Sequence, residues 1–194
     1  MSNSRENILA AINANKPAPV ELPEIPLFER RGNLVNVFIG ALEFIGATSV
    51  KVTSLSEVDE YLESLQQAGT RLVNTTAELN SYNINAYKKA NASELEALDT
   101  AFIKGQVGVA ENGAIWVSES DMVNRLFPFI CRKLVLVINA KDIVYNMHEA
   151  YRRIQVDEDG YGTFIAGPSK TADIEQSLVV GAHGPLELKV FIVS

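Results

Sequence analysis

Two short apolar runs constrain this chain more than anything else in it: Lys133 to Asn139 (KLVLVIN) and Leu188 to Val193 (LKVFIV). The first is apolar without a break from Leu134 to Ile138. It is too short for a core helix and too continuous for a strand with one wet face. Strands buried on both faces have this composition, and they belong to parallel sheets sandwiched between helices. The fold therefore has to supply crossover connections, and the rest of the sequence is searched for them.

Residues 4–14 have apolar positions Ile8, Leu9, Ala11 and Ile12 at helical spacing. Pro17, Pro19, Pro23 and Pro26 then force an extended arm from Lys16 to Pro26. The pattern turns helical from Leu27, with a stripe at Leu34, Val35, Phe38, Ile39, Leu42 and Ile45 and a stop at Gly46. Val50 to Val52 is a strand. Ser54 or Ser56 caps a helix carrying Val58, Tyr61, Leu62 and Leu65, ended by Gly69. Arg71 to Thr75 is the next strand, and strand–helix–strand at this spacing predicts a βαβ unit with parallel pairing. Residues 76–100 carry little signal beyond a helix near 93–99. Val107–Ala110 and Ala114–Val117 form a hairpin about Glu111-Asn112-Gly113. Arg125 to Phe127 is a short helix stopped by Pro128. Lys141 to Ile154 is an amphipathic helix with Ile143, Val144, Met147 and Tyr151 inward. Asp157 to Gly160 is a turn, Thr163 to Ala166 a strand and Thr171 to Leu178 a short helix.

This order predicts an N-terminal helix and proline arm over 1–26. An α/β domain follows over 27–194, its mostly parallel sheet covered by helices on both faces. Ligands of such sheets sit beyond the carboxyl ends of strands. Two loops follow directly after predicted strands: Glu111–Gly113 and Gly167–Thr171.

Composition narrows the function. A net charge of −7 and a pI near 4.9 speak against a nucleic-acid binder, which needs a basic face. A local positive pocket for a small anion stays compatible with that balance. Cys131 is the single cysteine, so neither an internal disulfide nor a four-thiolate iron–sulfur cluster can form within the chain. Cys131, His148 and His183 lack zinc-ligand spacing, so no metal site is expected. The first residues form a helix rather than a signal peptide, and no run approaches the length of a membrane span. The expected setting is the cytoplasm.

Three places carry candidate chemistry. In Gly167-Pro168-Ser169-Lys170-Thr171-Ala172-Asp173-Ile174-Glu175, Ser169 or Thr171 would cap the following helix. The same free N–H groups, with Lys170, would hold an anion. Asp173 and Glu175 oppose that anion, and the glycine spacing fits neither a P-loop nor a dinucleotide fingerprint. Asp173 is the alternative acceptor for a ligand hydroxyl. His183, within Gly181-Ala182-His183-Gly184-Pro185, lies on a glycine-lined loop, and an imidazole there suits either a structural hydrogen bond or acid–base work. Glu111, with Asn112 and Gly113 beside it, is either a hairpin carboxylate or a nucleophile or base over the sheet edge.

These same segments, Gly167 to Glu175, Leu178 to Pro185 (LVVGAHGP) and the hairpin Gly108 to Ser120 (GVAENGAIWVSES), resemble the lactate utilization protein C family, the LUD domain. Arg125 and Pro128 resemble the segment that follows the hairpin there. The resemblance implies a fold like the NagB/RpiA/CoA-transferase superfamily. It also implies a role in oxidising L-lactate to pyruvate beside iron–sulfur partner proteins, which would carry the clusters this chain cannot. It transfers no catalytic residue. Lys170 stands where the family suggests arginine, and Asn112 where it suggests threonine. The Glu111-Asn112-Gly113 turn also resembles the catalytic glutamate turn of CoA transferases. Two alternatives therefore stand beside the first: an enzyme of transferase or isomerase type using Glu111, and a module binding a small carboxylate or nucleotide without catalysis.

Overall fold

The computed structural model describes residues 4–26, 28, 32–80, 83–84, 87–155, 160–174 and 177–194; side chains at 172–174 and 177–178 are not described. The chain divides into two units, Met1–Arg30 and Arg31–Ser194. The first holds α1 (Ser4–Ala14), which buries none of its residues within this structure, and the extended proline arm.

The second unit runs in order α2 (Leu34–Phe44), β1 (Thr48–Val52), α3 (Leu55–Gln67), β2 (Leu72–Asn74), α4 (Ala92–Leu95), β3 (Thr100–Lys104), β4 (Val107–Val109) and β5 (Ile115–Ser118). It continues with α5 (Glu119–Met122), α6 (Phe127–Ile130), β6 (Lys133–Asn139), β7 (Ile143–Val144), α7 (Met147–Tyr151), β8 (Gly162–Ile165), β9 (Lys170–Ile174), β10 (Ser177–Val180) and β11 (Glu187–Val193). Five strands form a wholly parallel sheet in the order β1-β11-β6-β3-β2. The two runs that opened the sequence are its central pair, β11 beside β6.

Side chains alternate between the two faces of that sheet, as the period of a strand demands. Ala101, Ile103, Leu134, Leu136, Ile138, Leu188, Val190 and Ile192 pack with Phe38 and Leu42 of α2 on one face. Val52, Leu72, Phe102, Val135, Val137 and Phe191 pack with Val58 and Leu62 of α3 on the other. The helix α3 therefore meets residues from all five strands. Its N-terminus is fixed by a capping box in which Glu57 accepts from the backbone N–H of Thr53 and Ser54.

Several expectations are corrected. The predicted βαβ unit is parallel, but β1 and β2 are not neighbours; they lie at opposite edges of the sheet. β2 pairs with the next strand, β3, while β1 pairs with β11 at the far end of the sequence, which local spacing does not encode. The strand β3 had no sequence expectation, because its apolar run is only Ala101 to Ile103. The helix expected from Leu27 starts at Leu34, where Asn33 caps it. The helix near 93–99 shrinks to α4, closed by its own capping box of Asn91 and Glu94. Pro128 opens α6 rather than stopping a helix; it sits in the first turn, where its missing N–H costs nothing.

One predicted helix is interrupted by a strand and another is replaced by strands. The segment 141–154 breaks into a 3-10 turn, β7 and α7, because Ile143 and Val144 find parallel partners in Gly108 and Val109. Tyr151, expected inward, is exposed. The hairpin β4–β5, with β7 and β8 at its edges, forms a second, four-stranded sheet. In place of the helix expected over 171–178, β9 pairs antiparallel with β10, and Thr171 faces Val179. Their β-branched residues match the pleat better than a helix. The turn expected at 157–160 falls mainly outside the described residues.

Candidate functional site

Three of the predicted site residues, Gly113, Gly167 and Lys170, meet at the C-terminal end of α2. The Lys170 ammonium donates to the Ile45 carbonyl, the usual use of a lysine at a helix C-terminus. Gly167, at φ +78°, passes so close that an added Cβ would stand 2.6 Å from that same carbonyl oxygen. Gly113, at φ +72°, leaves only 2.8 Å between its would-be Cβ and Ile45 Cδ1. Asn112 Oδ1 accepts from Ala114 N at 3.0 Å, closing its own turn. The Glu111 carboxylate accepts the Met147 N–H at 2.9 Å and so holds the start of α7. Glu111 and Asn112 also line an open surface pocket of about 440 Å³ with Val37, Ala41 and the exposed Phe44.

Ser169 connects this region to the loop of His183. Its N–H donates to Pro185 O, and its carbonyl accepts from Gly181 N, both at 2.9 Å. His183 itself is exposed, on the loop that enters β11. It therefore stands near the amino end of a sheet strand, not the carboxyl end. Thr171 is strand-paired, and the Asp173 side chain lies outside the described residues. The loops at 111–113 and 167–170 follow strands of the smaller sheet, so neither lies at the carboxyl edge of the parallel one. The structure thus brings Gly113, Gly167 and Lys170 together at Ile45, and Ser169 to the His183 loop.

The carboxyl edge of the parallel sheet holds a different set. A cleft of about 130 Å³ is lined by Leu55, Thr76, Glu78, Lys104, Asn139 and Val193, over Val137 and Ile138. These residues follow or end all five strands: Leu55 after β1, Thr76 and Glu78 after β2, Lys104 at the end of β3, Asn139 at the end of β6 and Val193 at the end of β11. This is where the topology of a parallel sheet places ligands.

Three features give the cleft chemical character. Lys104 and Glu78 form an ion pair on its rim, their side chains 37% and 44% exposed. Thr76 is 2% exposed, and its hydroxyl has no hydrogen-bond partner among the described residues. Beneath it Asn74 Oδ1 accepts from Thr76 N at 2.8 Å, while Asn74 Nδ2 is likewise without a partner among those residues. Buried polar groups are nearly always satisfied, so these two are the polar atoms of the cleft region with hydrogen-bonding capacity left over among the described residues. A third feature is a polar network behind Lys104. Asp121 Oδ2 accepts from Gln106 Nε2 and Ser118 Oγ, both at 2.7 Å, and Asp142 Oδ2 accepts from Asn139 Nδ2 at 3.3 Å.

The hydrogen bond from Lys104 holds the Glu78 carboxyl below the usual carboxylate range, against the effect of burial. The bond to Glu78 in turn raises Lys104, with Asp121 and Asp142 adding to it. The pair's contribution is full above the ordinary carboxylate value and is lost as pH falls through Glu78's depressed one. It is lost again as pH rises through Lys104's raised one. Because both side chains are well exposed, it amounts to about 0–1 kcal/mol. A carboxyl carbon NMR titration of Glu78 should show its midpoint rising toward the ordinary value in Lys104→Met. Identical midpoints would show that the pair does not form.

Among the described residues no three His, Cys, Asp or Glu side chains converge to hold a metal ion. Cys131 is buried, and that burial pushes its thiol up to about 12, far from thiolate chemistry at neutral pH.

A family model of the LUD domain matches residues 45–193, the span from the end of α2 through β11. The chain belongs to the LUD domain family. Relatives of this LUD chain include the lactate utilization protein C of Shouchella clausii, 32% identical over 114 residues, covering 56% of this chain and 50% of that protein. The protein of that name from Bacillus subtilis is 27% identical over 110 residues, covering 54% and 46%. The LUD chain spans about half the length of the relatives it matches. A crystal structure of a DUF162 family protein from Deinococcus radiodurans superposes with a TM-score of 0.63 at 17% identity, covering 83% of this chain and 96% of that one. That likeness establishes the fold.

The residues of the carboxyl-edge cleft carried no motif in the sequence. One signal was present: polar Thr75-Thr76 directly after the apolar strand β2, with Lys104 ending another strand. Polar residues at the ends of apolar strands are what an edge site is made from, but only the pairing of β2 with β3 shows that these two ends meet.

Proposed function

We propose that this LUD domain serves lactate utilization by binding a small organic acid in the carboxyl-edge cleft, while iron–sulfur partner proteins carry the electrons. The observation that carries the reading is a cleft that presents the Lys104 ammonium and is lined by Thr76, whose buried hydroxyl has no partner among the described residues. Both are donors to an acid's oxygens, and Leu55 and Val193 offer apolar wall for its carbon end. The relatives' names supply the process. The single cysteine, buried with a raised thiol, leaves cluster binding to other chains. Among the described residues no helix is long and apolar enough to cross a membrane, which is compatible with the cytoplasmic setting that belongs to the same proposal.

Transferase chemistry at Glu111 and acid–base work at His183 draw less support. The Glu111 carboxylate is engaged at the start of α7, and His183 lies on an exposed loop.

A strain lacking the gene should lose growth on L-lactate and keep growth on glucose. Affinity-tagged chain from lactate-grown cells should recover cysteine-rich iron–sulfur proteins. Unimpaired growth of the deletion strain on lactate would overturn the proposal.

A further inference from the structure

We infer that Glu78 is a built-in competitor for the ligand of this cleft: a small monocarboxylate enters by taking Lys104 from Glu78, and the Thr76 hydroxyl completes its recognition. The inference rests on the reading of the cleft as an organic-acid site, and it goes further by assigning an exchange of partners.

Charge balance favours the exchange. Among the described residues Lys104 is the one cation in the cleft lining, and three carboxylates act on it: Glu78 directly, Asp121 and Asp142 at longer range. A fourth anion added to that group meets three carboxylates and a single ammonium, whereas one that displaces a carboxylate meets only two. The exchange removes one resident carboxylate. Asp121 is tied to Gln106 and Ser118, and Asp142 to Asn139. Glu78 has no side-chain partner other than Lys104 among the described residues, and it is the more exposed member of the pair. It can swing to water at little cost, as surface ion pairs do.

The incoming acid then replaces Glu78 at Lys104 without changing the local charge. The Thr76 hydroxyl has no partner among the described residues, and a ligand with a second oxygen beside its carboxylate would offer it one once the cleft opens to it. Glu78 therefore acts as a gate. It lowers affinity for every monocarboxylate and favours acids that also satisfy Thr76.

The test is binding of L-lactate and pyruvate to the full chain, followed by NMR, with uncharged L-lactamide as a third probe. Glu78→Gln should tighten both acids about fivefold, the size of an exposed ion pair. It should leave lactamide unchanged. Lys104→Met should weaken the acids more than about tenfold, as expected for losing a charge-assisted bond. Thr76→Val should weaken them and Thr76→Ser restore them. Equal or weaker acid binding by Glu78→Gln overturns the gate; if Lys104→Met still abolishes binding, the cleft reading survives that result. No saturable binding of either acid to the native chain or to Glu78→Gln overturns both the gate and the cleft as its site. The growth experiment then decides separately whether the role in lactate utilization stands.

Discussion

Phe102→Ala is expected to lower the free energy of unfolding by about 3–5 kcal/mol, the usual range for emptying a buried phenylalanine site. Phe102 is fully buried in the middle of β3, on the face covered by α3. Its ring lies 6.1 Å from that of Tyr61, and its cluster joins strands from both edges of the sheet. The surrounding side chains are fixed by five paired strands and cannot close the hole without breaking register. Backbone contacts persist: the Phe102 carbonyl accepts from Thr75 N at 2.9 Å whatever the side chain. Urea unfolding should therefore show a lower midpoint with an unchanged slope. A loss below about 1 kcal/mol would mean that the cavity collapses and that the sheet is softer than this packing implies.

Gly167→Ala should cost about 2–4 kcal/mol, more than left-handed strain alone. The residue has φ +78°, and its added Cβ would lie 2.6 Å from the Ile45 carbonyl oxygen. That oxygen is backbone, so the end of α2 has to move, and the Lys170 bond to it is disturbed as well. Gly69→Ala provides the control. It has the same φ of +78° but meets nothing within 4 Å, so it should show the strain of about 1 kcal/mol without the clash. Equal losses at the two glycines would show that the loop yields freely and that its closeness to α2 carries no energy. A large difference fixes the role of the Gly167 loop as a joint between the smaller sheet and α2.

Much of the fold was legible because it rests on local physics. The lengths of α1, α3 and β6 follow from apolar spacing, and the turns at Gly46 and Gly69 from the need for positive φ. The errors have a common cause. Ile143-Val144 and Thr171 to Val180 can satisfy their backbones either as helix or as strand, and the choice went to whichever partner strand was in place. The partner of Ile143-Val144 lies outside any window a periodicity argument examines, whereas β9 and β10 are each other's partner, a hairpin that a helical reading overlooks.

The site was less legible than the fold. Glycine-rich loops drew attention because glycine, lysine and hydroxyl residues stood close together in sequence. In the folded chain Gly113, Gly167 and Lys170 serve one helix end. The cleft uses Leu55, Thr76, Glu78, Lys104, Asn139 and Val193, which are scattered over most of the chain.

By itself, the sequence determined that this protein builds a parallel sheet buried on both faces, since only that environment suits the uninterrupted apolar run of β6 beside β11. The tertiary structure alone decided the strand order, sending β1 and β2 to opposite edges, and thereby which polar strand ends share a cleft. Periodicity and propensity are properties of neighbours along the chain. Pairing, desolvation and the meeting of Lys104 with Glu78 and Thr76 are properties of neighbours in space.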